Sequence, residues 1–184
     1  MPKKSNLLIK LLPLYLIVGV IFATPIIQRY IINSQVINTK NLESLNVITG
    51  KPAKLKIPIA NINLNVIDGD LNKTSKTWTL SPDKALFATV SNLPNNKNGN
   101  TLIYGHNTNA VFYGTYKLVI GDEAFLETDN GHTFIYKLTN SETVKPTNLS
   151  VFNYVGKPRL TLQTCSGIFS ENRKLFYFDL VKVI

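Results

Sequence analysis

From residue 51 onward, apolar and polar positions alternate in short runs. Leu55-Lys-Ile57-Pro-Ile59 carries the period of two expected of a half-buried strand, and Ile62-Asn-Leu64-Asn-Val66 carries it more cleanly. Pro58 cannot donate to a strand ladder, which predicts an edge strand or a bulge at that point. Asp68-Gly69-Asp70 predicts a turn. Further strands are predicted over residues 86–90, 101–104, 124–127, 133–138, 159–164 and 175–183. They are short and separated by Gly, Pro and Asn clusters, the spacing of an all-β barrel or sandwich with few helices. Residues 91–100 read as a loop, and Asn130-Gly131 as a hairpin turn. Residues 107–116 have room for one short helix.

Before residue 51 the pattern changes. Lys3, Lys4 and Lys10 precede residues 11–27, a run of 17 without a charge. A helix needs ~20 mainly apolar residues to span a bilayer, and Lys10 near the cytoplasmic end can snorkel. The positive flank predicts a cytoplasmic N-terminus with the bulk of the chain outside. A cleaved signal peptide is the rival, but its best cleavage site, Phe22-Ala23-Thr24, is followed by Pro25. Residues 28–50 mix Asn, Gln, Thr and Ser with isolated apolar positions and have no sustained period, as a stalk does. The expected organisation is therefore a cytoplasmic tip and transmembrane anchor over 1–27, a linker over 28–50 and a β domain over 51–184.

Charge narrows the partners. The net charge is +9, but five of the 20 bases and only one of the 11 acids precede residue 51, so the rest carries +5. Those bases are scattered, with no Arg-rich run and no aromatic-basic stripe, which argues against nucleic acid. An anionic cell surface or wall polymer fits better. One cysteine and two distant histidines are too few ligands for a metal site, and Asp68, Asp70, Glu127 and Asp129 are too dispersed for a calcium site. No cofactor is expected.

The candidate chemistry centres on the single thiol. Cys165 closes the run Arg159-Leu-Thr-Leu-Gln-Thr-Cys165 and shares strand parity with Thr161 and Gln163, opposite Leu160 and Leu162. Ser166-Gly167 then turns the chain, so the thiol sits at a strand end, open to solvent. A buried structural thiol is the alternative. His106 ends Thr101-Leu-Ile-Tyr-Gly-His106, where Gly105 lets the backbone turn or a substrate approach; a surface loop histidine is the plain alternative. His132 follows the predicted hairpin turn and is expected in solvent. Arg173, just before the final strand, falls near Cys165 if the strands on either side of 166–172 are neighbours. Thiol, imidazole and guanidinium supply a nucleophile, its proton partner and a planar donor for a developing oxyanion.

With these residues the chain resembles the sortases, membrane-anchored cysteine transpeptidases of bacterial surfaces. The resemblance covers about residues 51–184 and rests on Gly99-Asn-Thr-Leu-Ile-Tyr-Gly-His106, Gly121-Asp122, Thr161-Leu-Gln-Thr-Cys165 and Arg173 ahead of a final strand. It implies an eight-stranded β-barrel with one or two short helices, and His106, Cys165 and Arg173 as catalytic residues, with Thr164 as a substrate contact. It also implies a single-pass protein of the bacterial cell membrane with an extracellular catalytic domain. The implied reaction cleaves an LPxTG-like motif of surface proteins and passes the acyl group to an amine of a cell-wall precursor or a protein lysine. The short connection from Cys165 to Arg173 is unlike the housekeeping class. Two other readings compete. One is a membrane-tethered β-barrel binding module with an inert cysteine. The other is a peptidoglycan cross-linking cysteine transpeptidase, which would want Ser-x-Gly-Cys where this chain has Thr164 before Cys165.

Overall fold

Eight strands close on themselves into a barrel, each hydrogen-bonded to a neighbour on both sides. In barrel order they are β1 (Pro52–Ile57), β2 (Ile62–Gly69), β5 (Ala85–Ala88), β6 (Asn100–Gly105), β9 (Arg159–Ser166), β10 (Asn172–Val183), β8 (Thr133–Val144) and β7 (Glu123–Thr128), which returns to β1. A small hairpin of β3 (Leu71–Asn72) and β4 (Thr77–Trp78) stands apart from the barrel. Two short 3-10 helices, Pro58–Ala60 and Tyr113–Lys117, complete the elements. The structure is a computed structural model and describes residues 47–72, 74 and 77–184, together with Pro25, Gln28 and Arg29. Those three and residues 47–50 apart, the expected anchor (1–27) and linker (28–50) lie outside the described residues. Among the described residues no helix is long and apolar enough to cross a membrane.

The compact unit begins at Val47, because Ile48 and Thr49 bond across to the loop before β6. Ile48 N–H donates to Asn96 Oδ1 at 3.0 Å, and Thr49 Oγ1 donates to the Pro94 carbonyl at 2.9 Å.

Every predicted strand forms, with shifted ends that have physical causes. Pro58 marks neither an edge nor a bulge. β1 stops at Ile57, and Pro58 opens a 3-10 helix, where its missing N–H has no partner to lose. The turn expected at Asp68-Gly69-Asp70 is instead the end of β2, which runs parallel to β5 through Gly69. Glycine is required there by a neighbour, since a Cβ would stand 2.3 Å from the Tyr104 hydroxyl. The helix expected in 107–116 is a 3-10 helix at Tyr113–Lys117. Strands β8 and β10 are each 12 residues long. Their extra turns of ladder pair Arg173 with Val144 and Lys174 with Thr143, so Arg173 lies inside a strand and not ahead of it.

Two cores flank the sheet. The barrel interior holds Leu55, Ile57, Phe87, Ile103, Leu126, Phe134, Tyr136, Leu160, Leu162, Phe176 and Phe178. The outer face of β5, β6, β9 and β10 is also covered. Leu86, Leu102, Tyr104, Leu175 and Tyr177 pack there under Val151, with Trp78 and Phe152 against them. Trp78 stacks on Phe152 at 6.0 Å and meets Tyr104 edge-on at 5.3 Å. Both faces of these strands are therefore apolar, and each fully buried side chain adds roughly 1.5–3 kcal/mol. At the end where that second core gives out, the outer face carries the candidate chemistry.

Candidate active site

Three chain segments bring the candidate residues to one end of the barrel. β6 and β9 are parallel neighbours, with Gly105 opposite Thr164. His106 is the residue after Gly105, and Cys165 the residue after Thr164, so the two leave the ladder side by side. β9 and β10 are antiparallel, and Arg173 is the cross-strand partner of Cys165. Directly paired residues project from the same face with Cβ atoms ~4.5–5.5 Å apart. That face is the outer one, shared with Gln163, Leu175, Thr161 and Tyr177. Thiol, imidazole and guanidinium thus arise on three adjacent strands at one level. His132 is elsewhere. It precedes Thr133, which bonds to Ile184 at the far end of β10, and ten residues of strand separate that end from Arg173, or about 33 Å.

Local backbone explains how the site is held. Gly105 matters for packing and not for a turn, because a Cβ there would meet Val111 at 2.7 Å. That close approach lets the 107–117 segment cap the barrel end, with Phe112 N–H on the His106 carbonyl at 3.1 Å. The tight connection between β9 and β10 uses positive φ at Gly167 (88°) and Ser170 (58°). Gly167 is favoured there by its positive φ, which strains any residue with a Cβ. Arg173 braces this loop, its Nη1 donating to the Ser170 and Asn172 carbonyls at 2.9 Å each. Nη2 and Nε have no acceptor among the described residues. At the loop tip Ile168 and Phe169 are 91% and 89% exposed.

Thr164, expected to touch substrate, takes a different place. It is 2% exposed, and its hydroxyl donates to the Gly105 carbonyl at 2.9 Å. Its parity turns it towards the barrel interior, where it ties the Cys165 strand to the His106 strand.

Two residues at the site were missed in the sequence. The Tyr116 hydroxyl donates to the Cys165 carbonyl at 3.4 Å and accepts from Asn107 Nδ2 at 3.4 Å. It thereby links the strand end bearing the thiol with the residue after His106. Burial pushes its phenol up, opposed by the Asn107 hydrogen bond and reinforced by Cys165, so the hydroxyl remains a donor at neutral pH. Its only signal was an aromatic, three residues from Tyr113, in the segment after His106. The second is Ser166, whose Oγ is buried and has no hydrogen-bond partner among the described residues. An unsatisfied hydroxyl costs ~1–3 kcal/mol, and nothing in the residue pattern distinguished it.

Among the described residues no group of three His, Cys, Asp or Glu side chains is placed to hold a metal ion. Two of the acids considered for calcium are ion-paired, Asp68 with Lys51 at 2.7 Å and Glu127 with Lys56.

The family model of the sortase domain matches residues 55–181. Curated proteins yield no match. Solved structures do. Sortase E1 from Streptomyces coelicolor, with a tripeptide in its active site, is 25% identical with a TM-score of 0.60 over 73% of this chain and 90% of that one. Sortase A of Listeria monocytogenes is 23% identical, TM-score 0.59, over 73% and 89%. Sortase C of Clostridium perfringens SM101 is 20% identical, TM-score 0.57, over 76% and 75%.

Proposed function

Because the chain belongs to the sortase family and is therefore a cysteine transpeptidase, we propose that it cleaves an LPxTG-like sorting motif of surface proteins and transfers the acyl group, through a thioester on Cys165, to an amine. The observation that carries the assignment of roles is the pairing of Cys165 with Arg173, next to the strand that ends in His106. The tripeptide held by the Streptomyces coelicolor enzyme supports a peptide as first substrate.

In the proposed reaction the Cys165 thiolate attacks the carbonyl carbon of the motif's Thr-Gly bond. The carbonyl electrons move to oxygen, and Arg173 donates to that oxyanion from the N–H groups its loop leaves free. The guanidinium is already anchored through Nη1, so little is lost in positioning it. Collapse expels the glycine amine, which His106 protonates. An acceptor amine, on a cell-wall precursor or a protein lysine, then attacks the thioester. His106 takes its proton, and Cys165 is released. Exposed Ile168 and Phe169 offer apolar surface beside the thiol for the motif's leucine and proline.

Arg173 gives the sharpest test of this reading against a non-catalytic binding module. With a fluorogenic sorting peptide, wild type should turn over, and Arg173→Lys should lower kcat/KM by ~10²-fold or more, because lysine keeps the charge but loses the planar fork. Lys174→Ala is the control. Lys174 pairs with Thr164 on the opposite face and lies 5.7 Å from the Phe176 ring, so its loss should be mild. Equal, small effects would reduce Arg173 to a loop brace. Absence of turnover with any member of a peptide library would favour the binding module.

We place the enzyme in the bacterial cell membrane by its N-terminus, with Lys3, Lys4 and Lys10 on the cytoplasmic side of the apolar run. Protease added to spheroplasts should then digest the C-terminal domain while the chain stays in the membrane fraction. A mature chain starting near residue 25 would rule out the anchor.

A further inference from the structure

Four residues back along β9 from Cys165, on the same outer face, is a cavity of about 260 Å³ that the proposed reaction does not use. Four residues of strand span about 13 Å. Thr161 and Tyr177, cross-strand partners, line it together with Asn100, Glu142, Tyr154 and Arg159.

The polar groups round this cavity divide into occupied and open ones. Thr161 Oγ1 donates to Asn100 Oδ1 at 2.7 Å, and Asn100 Nδ2 donates to the Val151 carbonyl at 2.9 Å. Both lie in a buried, satisfied network that makes the floor rigid. Arg159 differs. Its guanidinium lies 4.1 Å from the Tyr154 ring and 5.2 Å from that of Tyr177. Only Nε finds an acceptor, Asp179, at a long 3.4 Å. Both terminal amino groups lack an acceptor among the described residues. Aromatic packing fixes the plane of the fork, so it is oriented before any ligand arrives. Glu142 accepts the Tyr177 O–H on Oε1 at 2.6 Å and keeps Oε2 open. Burial first, and Glu142 second, push the Tyr177 phenol up, so it stays protonated and continues to hold that carboxylate.

The open groups are thus a cationic fork near the Tyr177 ring and a carboxylate oxygen at the Tyr177 hydroxyl, both lining one cavity. A simple anion would gain at Arg159 and be repelled by Glu142; a simple cation would meet the reverse. A zwitterion satisfies both. The volume falls just below the ~300–1,000 Å³ of pockets for drug-sized ligands, which suits an amino acid or dipeptide. We infer that this cavity is a binding site for a small zwitterion, an amino acid or dipeptide, with its carboxylate on the Arg159 fork and its ammonium on Glu142. The cavity floor at Thr161 is about 13 Å along the strand from Cys165, and Glu142 stands opposite Leu175, two residues from Arg173.

Calorimetric titration of the full chain with glycine and glycylglycine tests this. At least one should bind saturably. For the one that binds, capping the amine by acetylation or the carboxylate as an amide should weaken affinity ~10-fold or more, as expected for losing a charge-assisted hydrogen bond. Arg159→Met and Glu142→Gln should each do the same. Glu142→Gln is isosteric and keeps the test valid if Arg159→Met folds poorly. Cys165→Ala should bind as wild type does, so failure of the transpeptidase reading leaves this result untouched. No saturable binding, equal binding of capped and uncapped ligands, or unchanged binding in Glu142→Gln would each overturn the inference.

Discussion

Cys165→Ala should abolish cleavage of a sorting peptide and leave the barrel folded. The chain has no second thiol to substitute for it. Its side chain is half-buried at the end of β9 and fills no part of the interior core, so its removal should shift Tm little. A thiol-selective alkylating reagent should add once to wild type and stop turnover, and add nothing to the variant. Mass spectrometry after a short incubation with peptide should catch the acyl adduct on wild type alone. Substantial residual cleavage by Cys165→Ala would sink the thioester mechanism, whatever the fold.

His106→Ala should reduce acyl transfer by ~10²-fold or more, within the 10²–10⁴ range of general acid–base catalysis. The proposed imidazole acts twice, protonating the leaving amine and deprotonating the incoming one, so both half-reactions should slow. A pre-steady-state burst separates them, and a defect in acylation alone would mean that another group serves the acceptor. His132→Ala is the comparison and should be close to wild type, since it sits at the β7–β8 hairpin with its carbonyl bonded to Thr128. If His132→Ala were the damaging change, the proton-transfer role would have been given to the wrong histidine.

The cavity beside Tyr177 and the Cys165 end of β9 share one sheet face but differ in what holds them. The cavity has a floor of satisfied side-chain hydrogen bonds. The Cys165 end has a long contact through Tyr116, a Ser166 hydroxyl with no partner among the described residues, and a loop tip with exposed apolar residues.

Alternation of apolar and polar residues determined by itself that the domain is all-β and roughly where its strands run. A side-chain period of two is a local property, and runs such as Ile62-Asn-Leu64-Asn-Val66 state it without help from the rest of the chain. The same pattern put Cys165 and His106 at strand ends, and Thr161-Leu-Gln-Thr-Cys165 with Gly105-His106 pointed to the family. Where local pattern fell silent, the tertiary structure decided. The parallel pairing of β6 with β9, which joins Thr164 to Gly105 across 59 residues, leaves no trace in either strand. Arg173 lies within β10 because β8 extends to pair with it, a ladder whose exposed polar positions show no period. Strand parity already set Thr164 with Leu160 and Leu162, opposite Cys165; the tertiary structure added its bond to the Gly105 carbonyl. The outer core under Trp78 and Phe152 was equally hidden, since a strand buried on both faces loses the alternation that would announce it.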